Sequence, residues 1–238
     1  MDCFITGTDT GAGKTLVTRA LLHALAVHHP RVAALKPIAA GLGQYDGETL
    51  NEDVALLRQA ASARLALDLI NPYAFAAPTA PHLAAAAAGV RIEVDLIAQR
   101  YRLAQAHTQV LLVEGVGGWC LPLNEQQMLS DLVKALALPV ILVAGIRLGA
   151  LNHTLLSVRA ILADGCALIG WVANIVDPSY LYAQATVAAL QARIQAPLLG
   201  TVPWEVGGDP RVVAAHLARA GELLATPRSR VQKGEADG

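Results

Sequence analysis

Charge is scarce in this chain. Of its 238 residues, 16% are charged, and 18 basic side chains are offset by 19 acidic ones for a net charge of −1. No run of Lys and Arg stands out. That excludes nucleic acid and acidic membrane surfaces as main partners, since both are held through clustered positive charge. Aromatic residues are scarcer still, at 4%, so the core has to be aliphatic. Hydrophobic residues reach 54%, yet no unbroken apolar run is long enough to span a membrane. Met1-Asp2 leads straight into an apolar strand, so no signal peptide is expected and the protein is read as cytoplasmic. The three cysteines, Cys3, Cys120 and Cys166, lack the spacing of metal ligands or of a disulfide framework, and are expected as buried, reduced thiols. No internal repeat or linker divides the chain. One domain over residues 1–225 is expected, with 226–238 as a polar, disordered tail.

What the chain does have is alternation. Beyond the opening apolar run at 3–5, strands are expected at 31–36, 109–113, 139–144, 167–174 and 198–202. Helical spacing is found at 16–27, 51–61, 93–106, 130–137, 152–163, 182–194 and 211–224. Residues 38–50, with Gly41, Gly43 and Gly47, read as a loop, and 69–81, with three prolines, as irregular. The strands are apolar throughout, which fits a parallel sheet buried on both faces. The expected fold is therefore α/β, a single domain with a mostly parallel sheet and helices on both faces. Right-handed crossovers place every strand's C-terminal end on one edge, where ligands bind.

The chemistry-bearing residues fall at those strand ends. Residues 3–18, CFITGTDTGAGKTLVT, run strand, glycine loop, Lys-Thr, helix. That is the order of a P-loop, although five residues rather than four separate Gly7 from Gly13. Glycines let backbone N–H groups converge on phosphate, and a helix N-terminus adds the positive end of its dipole. Nucleotide contacts are expected from Thr10, Gly11, Ala12, Gly13, Lys14, Thr15 and Leu16. Lys14 would reach the β- and γ-phosphates, and the Thr15 hydroxyl would bind Mg²⁺. Glu114 closes the apolar strand VLLVEG and suits the acidic residue that holds Mg²⁺; Gly115, Val116 and Gly117 form the loop behind it. Asp53, in the first turn of its helix, is a candidate further Mg²⁺ ligand, since that ion takes several oxygens. Lys36 ends the second strand, placed next door to the P-loop, where an ammonium can stabilise charge during phosphoryl transfer. His82 and His153 are expected in loops on the same edge, without a catalytic role. Gly149, Ala150, Leu151 and Asn152 follow a strand and open a helix, an arrangement suited to a carboxylate.

Together GTDTGAGKT (7–15), ALKPIAAG (34–41), NPYAFAAPTAPH (71–82), VEGVGGW (113–119), LGALNH (148–153), WVAN (171–174) and GTVPW (200–204) resemble the dethiobiotin synthetase family, in order over residues 3–205. The resemblance implies an ATP- and Mg²⁺-dependent ligase of biotin synthesis acting on 7,8-diaminononanoate and CO₂. It makes Lys36 the main catalytic lysine, with Lys14 beside it, and gives Thr15, Asp53 and Glu114 to Mg²⁺. Adenine would lie against Asn174, Ile175, Pro203, Trp204 and Glu205. The substrate's carboxylate would meet residues 149–152 of a second subunit in a homodimer. Two positions depart from the family. Ala40 stands where a substrate-contacting serine is usual. Thr186 stands where a tyrosine touches the carboxylate end, with Tyr182 one turn earlier. Two other readings of the P-loop stand beside this one. A partner-regulated switch ATPase would carry a second lysine where this chain has Asp9. A small-molecule kinase would need an arginine-bearing lid, and Arg147 is the only arginine at an expected strand mouth.

Overall fold

The computed structural model describes residues 1–204 and 208–225, so the expectations for Glu205 and for the tail at 226–238 lie outside the described residues. β1 (Cys3–Gly7) leads into α1 (Lys14–Ala26), followed by β2 (Val32–Leu35), β3 (Ile38–Ala40) and the hairpin β4 (Gly43–Tyr45) and β5 (Glu48–Leu50). Next come α2 (Glu52–Ala60), the one-turn α3 (Leu67–Ile70), β6 (Tyr73–Phe75), α4 (Pro81–Ala87), α5 (Val94–Gln105), β7 (Val110–Glu114) and α6 (Leu129–Leu136). β8 (Val140–Ile146), α7 (Ala150–Ala163), β9 (Leu168–Ile175), α8 (Ala183–Gln191) and β10 (Leu198–Val202) continue the alternation, and α9 (Pro210–Ala215) and α10 (Ala218–Ala225) close it.

Six strands form one parallel sheet in the order β10-β9-β8-β1-β7-β2. Side chains alternate between its two faces, so each inner strand feeds two cores. In β1, Cys3 and Ile5 join Leu21, Leu25, Val213 and Leu224 on the side of α1, α9 and α10. Phe4 joins Ile97, Leu132, Val158 and Leu190 on the side of α5, α6, α7 and α8. Each fully buried aliphatic side chain contributes about 1.5–3 kcal/mol. This is the parallel sheet covered by helices on both faces that the apolar strands lead one to expect.

Several local expectations are corrected. Residues 38–50 are not a loop. Asp46 and Gly47 have φ 51 and 79, the paired positive values of a tight hairpin turn joining β4 to β5. Residues 69–81 hold a strand, because Pro72 and Pro78 flank β6 instead of interrupting it, and β6 pairs with β3. α1 and α7 each begin two residues early, directly after Gly13 and Gly149 in left-handed conformation. The last expected helix breaks at His216, whose carbonyl packs so close to β10 that a Cβ on Gly200 would sit 2.1 Å from it. Cys3 and Cys166 are buried as expected, but Cys120 is exposed. His82 and His153 lie in the first turns of α4 and α7, not in loops. Among the described residues no helix is long and apolar enough to cross a membrane.

Candidate nucleotide and metal site

The site begins where β1 runs out at Gly7. Gly13, with φ 89 and ψ 27, adopts a turn that a Cβ would strain, and it opens α1 with no side-chain cap. The first N–H groups of α1 are therefore not taken up by a capping side chain. β9 braces this loop from the side. Asn174 Nδ2 donates to the Ala12 carbonyl at 2.9 Å, and a Cβ on Gly13 would meet that same nitrogen at 2.0 Å.

Lys14 is the first residue of α1 and is 7% exposed. Its ammonium donates to the carbonyls of Asp9 at 2.9 Å and Gly117 at 2.8 Å. Burial, and then the charge of Lys36, push its pKa down to about 8. The Asp9 carboxylate is paired with the Arg147 guanidinium, which stands just past β8. The one arginine expected at a strand mouth thus holds the P-loop's own acid.

Thr15 Oγ1 lies 2.7 Å from Asp53 Oδ1 and 2.9 Å from Glu114 Oε1. Asp53 is set in place by Asn51, the N-cap of α2, whose Oδ1 accepts from Asp53 N at 3.0 Å. The strand before Lys36 is not the neighbour of β1, because β2 is the sheet edge and β7 lies between them, yet the side chain does arrive beside the P-loop. The lysine reaches across the intervening strand. Its Nζ donates to Glu114 Oε1 at 2.7 Å, Asp53 Oδ2 at 2.8 Å and Gly115 O at 3.1 Å, which uses all three ammonium protons. Lys36 is 3% exposed. Burial favours its neutral form, but Glu114 and Asp53 outweigh burial and hold its pKa above the usual lysine value. Burial likewise raises Asp53, and Lys36 and Thr15 outweigh it, so that carboxyl is held below its usual value.

The donors fit Mg²⁺. Thr15, Asp53 and Glu114 supply only hard oxygen atoms, and Glu114 Oε2 is buried without a hydrogen-bond partner. Leaving such an oxygen unsatisfied costs about 1–3 kcal/mol or more, which a cation or its water relieves. No three acidic, His or Cys side chains converge among the described residues, so the remaining ligands would be phosphate and water oxygens.

A cavity of about 680 Å³ opens beside this cluster. Thr10, Gly11, Gly13, Lys14, Thr15, Lys36, Asp53, Val116 and Gly117 line it together with Ala40, Asn51 and residues 78–81. Asn51 also ties the start of α2 to the end of β3, donating through Nδ2 to the carbonyls of Ala40 at 3.1 Å and Gly41 at 2.8 Å. Sequence reading missed Asn51, although an Asn just before a helix is a legible cap. It also missed Asn71, whose Nδ2 donates to the Lys36 carbonyl at 2.7 Å, and for that contact no local pattern exists.

The remaining candidates lie outside these walls. Asn174 and Ile175 end β9, and Pro203 and Trp204 follow β10, with Trp204 52% exposed. Leu16, in the first turn of α1, is half-buried. Gly149, Ala150, Leu151 and Asn152 open α7 with no side-chain cap. Thr186 is buried, with Oγ1 2.8 Å from the Tyr180 hydroxyl, whereas Tyr182 is exposed.

A family model described as an AAA domain matches residues 2–210. The ATP-dependent dethiobiotin synthetase BioD of Aromatoleum aromaticum is 48% identical over 218 residues, covering 92% of this chain and 97% of that protein. The ATP-dependent dethiobiotin synthetase BioD of Pseudomonas aeruginosa is 46% identical over 215 residues, covering 90% and 94%. The MinC:MinD cell division complex of Aquifex aeolicus contains a chain of the same fold, with a TM-score of 0.58 at 12% identity over 96% of this chain and 98% of that one. The septum site-determining protein MinD of Pyrococcus horikoshii, complexed with Mg-ADP, gives 0.54 at 19% identity over 94% and 95%. At those identities the two structures speak for the fold alone.

Proposed function

The chain belongs to the ATP-dependent dethiobiotin synthetase family, and from that premise we propose that it is the ligase that closes the cyclic urea of dethiobiotin in biotin biosynthesis, using ATP and Mg²⁺. The observation that carries the reading is the meeting of Lys14, Thr15, Lys36, Asp53 and Glu114, from four separate segments, beside a cavity of about 680 Å³.

The substrates are 7,8-diaminononanoate, CO₂ and ATP. One amine of the diamine forms an N–C bond to CO₂ and loses a proton, giving a carbamate. A carbamate oxygen then bonds to the γ-phosphorus as the bond to ADP breaks. The second amine attacks the carbamoyl carbon, phosphate leaves, and the amine's proton passes to the departing phosphate or to water. Each step needs negative charge to be held while it moves, and none needs a strong protein base. Lys36 suits that work, because a lysine held above its usual pKa stays an ammonium at neutral pH and serves as a fixed positive charge. Lys14 and the N–H groups of residues 10–16 take the phosphates. Thr15, Asp53 and Glu114 hold Mg²⁺, which when bound neutralises phosphate charge. The 115–117 loop backs the phosphates. Asn174, Ile175, Pro203 and Trp204 offer the edge on which adenine rests, with Glu205 in the same segment.

The active unit is a two-fold homodimer. Gly149, Ala150, Leu151 and Asn152 open an uncapped helix away from the cavity walls, and Leu148 beside them is 82% exposed. Lent to a partner subunit, that helix start receives the substrate's carboxylate. A cytoplasmic setting suits three unpaired cysteines.

The test is a mass-spectrometric assay with diaminononanoate, bicarbonate and MgATP. Formation of the cyclic urea that stops when ATP is withheld supports the function. ATP turnover without that product would overturn it.

A further inference from the structure

Away from the nucleotide cluster, α1, α2 and the start of α9 enclose a second cavity of about 270 Å³. Its walls carry Arg19 and His23 from α1, Gln59 from α2, and Asp209 and Arg211 at the head of α9. Arg19 and His23 are four residues apart and share one helix face. Arg19 is half-buried, and its Nε is sealed from solvent without a hydrogen-bond partner. Among the described residues, neither guanidinium takes part in any of the ion pairs of the molecule. The Asp209 carboxylate is already engaged by the Arg211 backbone N–H at 2.9 Å as the N-cap of α9.

We propose that this cavity is a binding site for a phosphate-type oxyanion, distinct from the P-loop. Among the described residues, three cation-forming side chains line this one cavity, with Asp209 as the single carboxylate. That arrangement is costly when empty and is relieved by an anion. The like-charge crowding shows at His23, which is held below the usual histidine value by burial, then by Arg211 and Arg19, with Asp209 opposing them. The geometry favours phosphate over a simple carboxylate. Two guanidinium groups from two helices can each donate to a different edge of a tetrahedral oxyanion, while a carboxylate offers one edge. The walls also connect to the nucleotide centre. α1 starts at Lys14 and Thr15, α2 carries Asp53, and α9 follows the segment after β10, so an anion here bridges the helices that carry the site. This inference does not depend on which reaction the enzyme catalyses.

The experiment is a calorimetric titration of inorganic phosphate into the full chain, with the P-loop filled by a non-hydrolysable ATP analogue and Mg²⁺. One phosphate per chain should bind, with a Kd on the order of 1 mM, as expected of a few solvated charge-assisted hydrogen bonds. Arg211→Gln, at an exposed position, should weaken binding by about tenfold or more, and Arg19→Gln similarly. If Arg19→Gln fails to fold, His23→Gln, with the same expected direction, replaces it. Lys14→Ala without nucleotide should leave this phosphate bound. No saturable binding at tens of millimolar would overturn the proposal. So would binding that survives Arg211→Gln unchanged or disappears in Lys14→Ala.

Discussion

Lys36 donates to two carboxylates and a carbonyl, while Lys14 has only carbonyls for partners. The same side chain is therefore tuned in opposite directions, up at position 36 and down to about 8 at position 14. Lys36→Ala should cut kcat by about 10²–10³ with ATP affinity nearly intact, since in the proposed reaction its charge acts on the reacting groups. Near-parental turnover would return Lys36 to a purely structural role. Lys14→Ala should weaken ATP binding as well. The wild-type enzyme should show this lysine in its pH dependence. Phosphate needs the charged ammonium, whose free-enzyme pKa is about 8. Above that value a proton must be taken up on binding, so the Kd for ATP should rise by up to ~tenfold per pH unit. A flat profile from pH 7 to 9.5, measured by calorimetry, would place the Lys14 pKa elsewhere. For the metal, Asp53→Asn and Glu114→Gln should each raise the Mg²⁺ concentration needed for half-maximal rate. An unchanged Mg²⁺ titration in either variant would leave that residue without a metal role.

At the scale of elements, the site depends on where short segments end. β3 finishes at Ala40, whose carbonyl is held by Asn51 and which lines the cavity. A hydroxyl there would face substrate without disturbing Asn51. Ala40→Ser should lower the KM for the diamine by up to about tenfold, the worth of one neutral hydrogen bond of roughly 0.5–1.5 kcal/mol, with the KM for ATP unchanged. A KM for the diamine that stays level or rises would mean that backbone groups already fill this role. Thr186 offers no such route, because α8 turns it inward against Tyr180. The P-loop is legible as an element in GTDTGAGKT, despite its extra residue. The hairpin β4–β5 was legible too, since Asp46-Gly47 between short polar strands is a strong turn signal, but three clustered glycines suggested a loop. β6 was hidden because its prolines sit just outside it, a distinction that only strand pairing makes.

At the scale of the molecule, the dimer proposal has its own test. Ala150 is 2% exposed, so the acidic substitution belongs at Leu151, which is 39% exposed. Lys36→Ala and Leu151→Glu homodimers should both be inactive. Equimolar subunit exchange should restore about a quarter of parental activity, since half the dimers are mixed and each has one intact site of two. No recovery after demonstrated exchange would mean that each chain builds its site alone. The sequence by itself determined what depends on near neighbours. Wholly apolar strands between amphipathic helices require a parallel sheet buried on both faces, and a glycine loop before Lys14-Thr15 requires an anion site at a helix start. Only the tertiary structure decided which distant residues meet. Lys36 and Glu114 are 78 residues apart, Thr15 and Asp53 are 38 apart, and Asn174 braces Ala12 across 162. The Lys36–Glu114 contact follows from β7 lying between β1 and β2, and the Asn174–Ala12 contact reaches across β8 from the other side of β1. Strand order carries no local signature, because any apolar strand can pair with any other until crossovers and packing select one arrangement.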